Sequence, residues 1–295
     1  MKEKEIYKNE VIQEKEQTPE KEPYLSVPII DIIRHGETDY KELTKCDFRL
    51  DSSSADFKLD EDHLDLNQKG IKNILNTAEK LEARIDKEKE VVLFITSPNY
   101  RAESSMLLIK DHLAKSGILT IDKYLRSHNI EQIRFKSKEE GGQVDVDEWI
   151  HADKKFRNEE SQQQNIPPEK AHQRITERLG KKWDEIFKEG YDEIDKRFER
   201  FIRHIVNLNM YFSDETKAGL KNKRIRVVIL THEEIPSRFI QKIWGDDIVL
   251  QKAQNLELQP NAHMLKGKDV NVKATLHPKE EKEPIKEAFL KKKFF

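Results

Sequence analysis

The sequence predicts an α/β protein, a three-layer α/β/α sandwich with a mostly parallel central sheet plus a helical insertion. Three observations carry that expectation. First, Val27-Pro28-Ile29-Ile30-Asp31-Ile32-Ile33, Val91-Val92-Leu93-Phe94-Ile95 and Ile225-Arg226-Val227-Val228-Ile229-Leu230 are near-continuous apolar runs rich in β-branched residues. Strands buried on both faces, in a parallel or mixed sheet covered by helices, have this pattern. Second, the segments between them repeat apolar residues at three- and four-residue steps, as the covering helices require. Third, each run stops abruptly in polar residues: Arg34-His35-Gly36, Thr96-Ser97-Pro98 and Thr231-His232.

Along the chain, residues 1–25 are mostly Lys, Glu, Gln and Asn and are expected to be a disordered or frayed charged tail. The folded domain is expected over 26–277. Within it, Ile71, Ile74, Leu75, Ala78, Leu81 and Ile85 mark a helix from Gln68 to Ile85. Pro98 suits the first turn of a second helix, which runs through Ala102, Met106, Leu107 and Ile109 to a stop at Gly117. Residues 136–168, with Gly141-Gly142 and Ser161-Gln162-Gln163-Gln164-Asn165, are expected to form a long polar loop. Residues 169–212 carry a long helical pattern that Gly180 and Gly190 bend or divide, lying on the sheet or forming a helical insertion. The charged C-terminal segment 278–295 is expected to form an amphipathic helix over Glu280–Phe295.

Composition narrows the function classes. Charged residues make up 37% of the 295 and hydrophobic ones 36%, against roughly 25% charge in an average domain. The charges balance, 54 Lys+Arg against 56 Asp+Glu, which argues against a nucleic-acid partner held by bulk positive charge. No apolar run approaches the ~20 residues of a membrane span. Met1-Lys2-Glu3-Lys4-Glu5 lacks the apolar stretch of a secretory signal, so a cytoplasmic protein with no membrane partner is expected. Cys46 alone gives neither a disulfide framework nor a cysteine zinc site.

The chemistry is expected where the strands end, because ligands of open α/β sheets bind at the carboxyl edge. Arg34 and His35, then Ser97 and Arg101, then Thr231 and His232 would meet there. Two guanidiniums offer phosphate oxygens a planar fork of donors, and two imidazoles offer a nucleophile, acid or base near neutral pH. Each residue alone is weak evidence, since a lone His after a strand is usually a satisfied loop residue. Three strand ends carrying suitable residues are stronger.

Arg34-His35-Gly36-Glu37-Thr38 resembles the Arg-His-Gly signature of the histidine phosphatase superfamily, also called phosphoglycerate mutase-like. Leu66-Asn67-Gln68-Lys69-Gly70 is similar to its Leu-Thr-x-x-Gly element, and Ser97-Pro98-Asn99-Tyr100-Arg101-Ala102-Glu103-Ser104-Ser105 to its Ser-Pro-x-x-Arg-Ala-x-x-Thr element. Thr231-His232 matches the second histidine and Asn261-Ala262 the segment after it. The resemblance implies metal-independent hydrolysis of a phosphate monoester, with no cofactor, through a phosphohistidine at His35. Arg34, Arg101 and His232 would hold the phosphoryl group, and the substrate would be a phosphorylated small molecule or a phosphoprotein. Gly36 would let the backbone pass close to the phosphate, or simply serve a turn.

The chain departs from this pattern at the general acid. Aligned on Ile130-Glu131-Gln132-Ile133-Arg134-Phe135, Gln132 falls on the acid position, and a neutral amide cannot donate a proton as a carboxylic acid does. Glu131, one residue earlier, is the acid candidate, with Glu139, Glu140 or a water as substitutes. Lys41 stands where the family often has Asn, and Glu233 and Glu234 where glycine is common. His232-Glu233 is not a zinc-protease motif, because Pro236 occupies the second histidine position. Two alternatives follow: a catalytically impaired member serving as a phosphate-binding or protein-interaction module, and a phosphomutase.

Overall fold

The computed structural model describes residues 27–38, 66–159, 166–208, 212–220, 223–245, 248–260, 272–279 and 284–290. The expectations for the 1–25 tail, Lys41, Cys46, the segment 161–165 and Asn261-Ala262 lie outside the described residues.

The expected sandwich is what forms. Strand β1 (Ile29–Arg34) leads to helix α1 (Gln68–Glu82), β2 (Glu90–Thr96), α2 (Tyr100–Lys115) and the two-residue β3 (Leu125–Arg126). Helices α3 (Val146–Glu159), α4 (Pro168–Arg178), α5 (Tyr191–Val206) and α6 (Asp214–Gly219) precede β4 (Arg224–Thr231) and α7 (Glu234–Trp244). Strands β5 (Asn255–Pro260), β6 (Val272–Leu276) and β7 (Lys286–Leu290) complete the described chain. The sheet order is β3-β2-β4-β1-β5-β6-β7. Its first four strands run parallel, and β5 to β7 extend it with antiparallel pairings.

Alternation along the strands assigns the layers. Ile30, Ile32, Leu93, Ile95, Val227 and Ile229 face one way and pack with residues of α3, α4, α5 and α7. Ile33, Val92, Phe94, Val228 and Leu230 face the other way and pack with α1 and α2. Both faces are therefore dry, and this is why the runs read as continuous rather than alternating. The α1 helix starts where the Asn67 side chain accepts from the Gly70 amide and buries Ile74, Ala78 and Leu81 at the expected spacing.

Second helix α2 begins at Tyr100, two residues later than Pro98 suggests, because Asn99 stands at its N-cap. It ends before Gly117, whose φ of 75° terminates it as expected. The 169–212 pattern is divided as expected: Gly180, at φ 64°, follows α4, and Gly190 precedes α5. These helices lie on the sheet as one layer of the sandwich.

Two expectations are corrected. The polar loop over 136–168 contains α3, a helix of 14 residues. Its few apolar side chains are well placed, with Trp149 and Phe156 5% and 2% exposed in the main core. The helix expected over Glu280–Phe295 is also not what forms at Lys286–Leu290, which pairs in register with β6 as an edge strand.

A buried ion cluster interrupts the apolar strands toward their amino ends. Arg226, 3% exposed, donates to Asp31 at 2.8 Å, Glu90 at 2.7 Å and Glu257 at 3.2 Å. Asp31 also accepts from Asn255 at 2.7 Å. Pairing compensates each charge for its lost hydration, as burial requires.

Candidate functional site

Strand register brings the polar ends together. Arg34 lies opposite Thr231, and Thr96 lies opposite Leu230 on one side and Arg126 on the other. The next residues, His35, Ser97 and His232, thus leave adjacent strands at one level of the carboxyl edge. The His35 amide donates to the Thr231 carbonyl (3.1 Å) and the Ser97 amide to that of Leu230 (2.9 Å), extending the ladder into the site.

Hydrogen bonding fixes the tautomers. Nδ1–H of His35 donates to the Gly36 carbonyl at 2.7 Å, leaving the Nε2 lone pair to face the cavity. Arg101, on the first turn of α2, donates Nε–H to that Nε2 at 3.0 Å and an Nη2 proton to Nδ1 of His232 at 3.2 Å. His232 in turn donates Nε2–H to Ser97 Oγ at 2.8 Å, whose own proton goes to Asn99 Oδ1. The two imidazole centroids lie 5.1 Å apart. Burial, reinforced by the guanidinium of Arg101, holds both imidazoles well below the ordinary histidine pKa. Both are therefore neutral at neutral pH.

Arg34 anchors through Nη1 to the Leu250 carbonyl at 3.0 Å and pairs with Glu233 at 2.5 Å. The backbone around His35 is held by the Gly36 amide donating to Ser105 Oγ at 3.0 Å. A Cβ at Gly36 would stand 2.8 Å from the carbonyl oxygen of Gly70, so the small size of this glycine admits the start of α1.

The structure brings Arg34, His35, Arg101 and His232 together in a cavity of about 210 Å³. It does not bring Glu131 there. Ser127 caps a short turn at His128–Ile130, and the Glu131 carboxylate turns outward to His128 Nδ1 at 2.9 Å. Glu139 and Glu140 do not line the cavity either. Gln132 does, accepting from Arg101 Nη2. Buried Arg197 of α5 fixes this stretch, donating to the His128 carbonyl at 2.7 Å.

Several lining residues escaped the sequence. Trp149, Ile150, Asp153 and Arg157 of α3 form a wall, with His172 of α4 behind it. Their spacing, four residues from Trp149 to Asp153 and four more to Arg157, is a helical face visible in hindsight. Glu233 and Glu234, which stand where the resemblance has glycine, both line the cavity.

No family model and no curated protein matches the chain. Solved structures give distant likenesses. The product of open reading frame Rv3214 of Mycobacterium tuberculosis is 12% identical over 78% of this chain and 90% of that one, with a TM-score of 0.38. The phytase of Klebsiella sp ASR1 is 10% identical over 90% and 88%, at 0.43. The Hafnia alvei phytase, in complex with myo-inositol hexakis sulphate, is 9% identical over 85% and 84%, at 0.35. Among the described residues no helix is long and apolar enough to cross a membrane.

Proposed function

We propose that the protein hydrolyses a phosphate monoester through a covalent phosphohistidine at His35, as a phosphatase of the histidine phosphatase type. One observation carries this: the Gly36 carbonyl holds the Nδ1 proton of a neutral, buried His35, so that Nε2 meets the cavity as a lone pair beside two guanidiniums.

In this mechanism a phosphoryl group draws the Arg101 donors away from His35. The Nε2–phosphorus bond forms as the bond from phosphorus to the leaving oxygen breaks. Arg34 and Arg101 face the charge on the equatorial oxygens. The leaving oxygen takes a proton from an acid, and we move that role from Glu131 to Glu233. Glu233 lines the cavity next to His232, whereas Glu131 points away. A phosphoryl group that takes over Arg34 releases Glu233 from its ion pair and lets it take the proton of the incoming monoanionic ester, which it passes to the leaving oxygen. Water then attacks phosphorus as the Glu233 carboxylate takes its proton, giving inorganic phosphate, and the electron pair of the breaking nitrogen–phosphorus bond returns to Nε2.

The test is turnover of an aryl phosphate by wild type and His35→Ala, together with trapping of an acid-labile, base-stable phosphoenzyme. Turnover by wild type with a label on His35 is expected. Undiminished turnover in His35→Ala would overturn the proposal.

A second reading is a phosphate-binding module without turnover. It is favoured by Gln132, an amide contacting Arg101 where the resemblance places the acid. Binding of inorganic phosphate that needs Arg101, with neither turnover nor label, is its signature.

A further inference from the structure

The cavity that holds His35 also carries lining of a different chemistry. Beside the guanidiniums, Ile133, Phe135, Val146, Trp149 and Ile150 line it. The Trp149 indole is held rigidly: Phe187 meets it edge-on at 4.8 Å, His172 at 5.3 Å and Phe135 at 5.9 Å. A platform fixed in this way loses little rotamer freedom when a ring packs on the cavity lining.

Cations and carboxylates in the cavity balance. Its three arginines, Arg34, Arg101 and Arg157, face three carboxylates, Asp153, Glu233 and Glu234, and among the described residues no lysine lines it. Arg157, the cation farthest along the sequence from the strand ends, is paired with Asp153 at 2.9 and 3.0 Å. A second or third phosphate on the same substrate would therefore meet Asp153 and Glu234 instead of unpaired cations. The volume, about 210 Å³, is below the roughly 300–1,000 Å³ of pockets for drug-sized ligands, which suits a single ring.

From these features we infer that the site takes a singly phosphorylated ester of an aromatic alcohol, an aryl phosphate, with its ring against the wall formed by Val146, Trp149 and Ile150. This rests on the phosphate site proposed above and adds the class of leaving group. The aromatic wall supplies selectivity, because every phosphate monoester presents the same dianion to Arg34 and Arg101.

The experiment compares non-hydrolysable probes by isothermal titration calorimetry: methylphosphonate, benzylphosphonate, a peptide containing phosphonomethyl-phenylalanine, and inositol hexakisphosphate. Wild type is expected to bind benzylphosphonate about tenfold more tightly than methylphosphonate, the order of effect that aromatic packing produces. Inositol hexakisphosphate is expected to bind more weakly than benzylphosphonate. Trp149→Ala should erase the benzyl preference, read as the ratio of benzyl- to methylphosphonate affinity within one protein. Val146→Asn, at a position 47% exposed, keeps the fold and should reduce the preference in the same direction.

Tighter binding of the peptide than of benzylphosphonate assigns the aryl group to a protein substrate, and equal binding assigns it to a small molecule. Both outcomes support the aryl chemistry. Equal affinity for benzyl- and methylphosphonate, or a preference for the hexakisphosphate, overturns the inference while the phosphate site stands. Absence of binding by every probe overturns the phosphate site as well.

Discussion

Gly70→Ala sets two effects of opposite sign against each other, and the contacts decide which prevails. Gly70 lies in the first turn of α1, where alanine would ordinarily stabilise the helix by up to about 1 kcal/mol. The added Cβ would stand only 2.2 Å from the carbonyl oxygen of Glu37 and 2.6 Å from its nitrogen. Both neighbours are backbone, so neither swings aside. Restoring a contact of roughly 3.5 Å means that the 35–37 loop and α1 separate by about 1 Å. Overpacking of this kind costs about 1–3 kcal/mol and outweighs the helix gain. The displaced loop carries His35, and a misplacement of about 1 Å costs roughly 10²-fold in rate. Urea denaturation followed by kcat/KM on an aryl phosphate measures both. Gly219→Ala, whose Cβ enters open space, is the control and is expected to be neutral or slightly stabilising. A Gly70→Ala protein as stable and as active as wild type would refute the claim that this glycine pair sets the position of His35.

The remaining predictions are independent of that contact. Arg226→Met leaves Asp31, Glu90 and Glu257 without their shared guanidinium and is expected to cost about 3–5 kcal/mol in a urea titration. A loss under 1 kcal/mol would count against the cluster. Burial depresses His172 to about 4, so the unfolded chain takes up its proton first as the pH falls. Stability from this residue is complete above about 6.5 and is lost toward pH 4, by about 3 kcal/mol. His172→Phe should flatten the wild-type stability profile over that window, and an unchanged slope would contradict it. Glu233→Gln is expected to lower kcat by roughly 10²–10⁴ on alkyl phosphates and less on p-nitrophenyl phosphate, whose leaving group needs no proton. Equal losses on both substrates would remove the acid role. Arg101→Lys loses the planar fork, and its kcat/KM should fall about 10²-fold or more in steady-state assays.

The parts legible in the sequence were those whose signal is local. The apolar runs of β1, β2 and β4 follow from burial on both faces, and His35, Ser97 and His232 follow from the ends of those runs. The antiparallel strands carried no such mark. Lys286-Glu287-Ala288-Phe289-Leu290 is made largely of good helix formers, yet pairing with β6 makes it a strand, because tertiary context overrides propensity. In β5, Glu257 belongs to the ion cluster and breaks the apolar pattern. Helix α3 was hidden because Trp149 and Phe156 are its only buried apolar side chains among many charges. Without α3 the wall it gives the cavity was missed too. Glu131 stood as the acid candidate because resemblance gives an order of residues, whereas the capped turn at His128–Ile130 sets its side chain against His128 and away from the cavity.

Strand β1 pairs with both β4 and β5, which bears on how the chain reaches its native state. Arg34 and its partner Thr231 are separated by nearly two-thirds of the sequence, so the edge that carries His35 closes only through contacts of long sequence separation. Contacts of that kind must first overcome loop-closure entropy and slow folding. During synthesis β1 emerges with both flanking positions unfilled and must wait for strands made much later. Chains released before β4 therefore expose a highly apolar strand with unsatisfied edges, a form prone to aggregation.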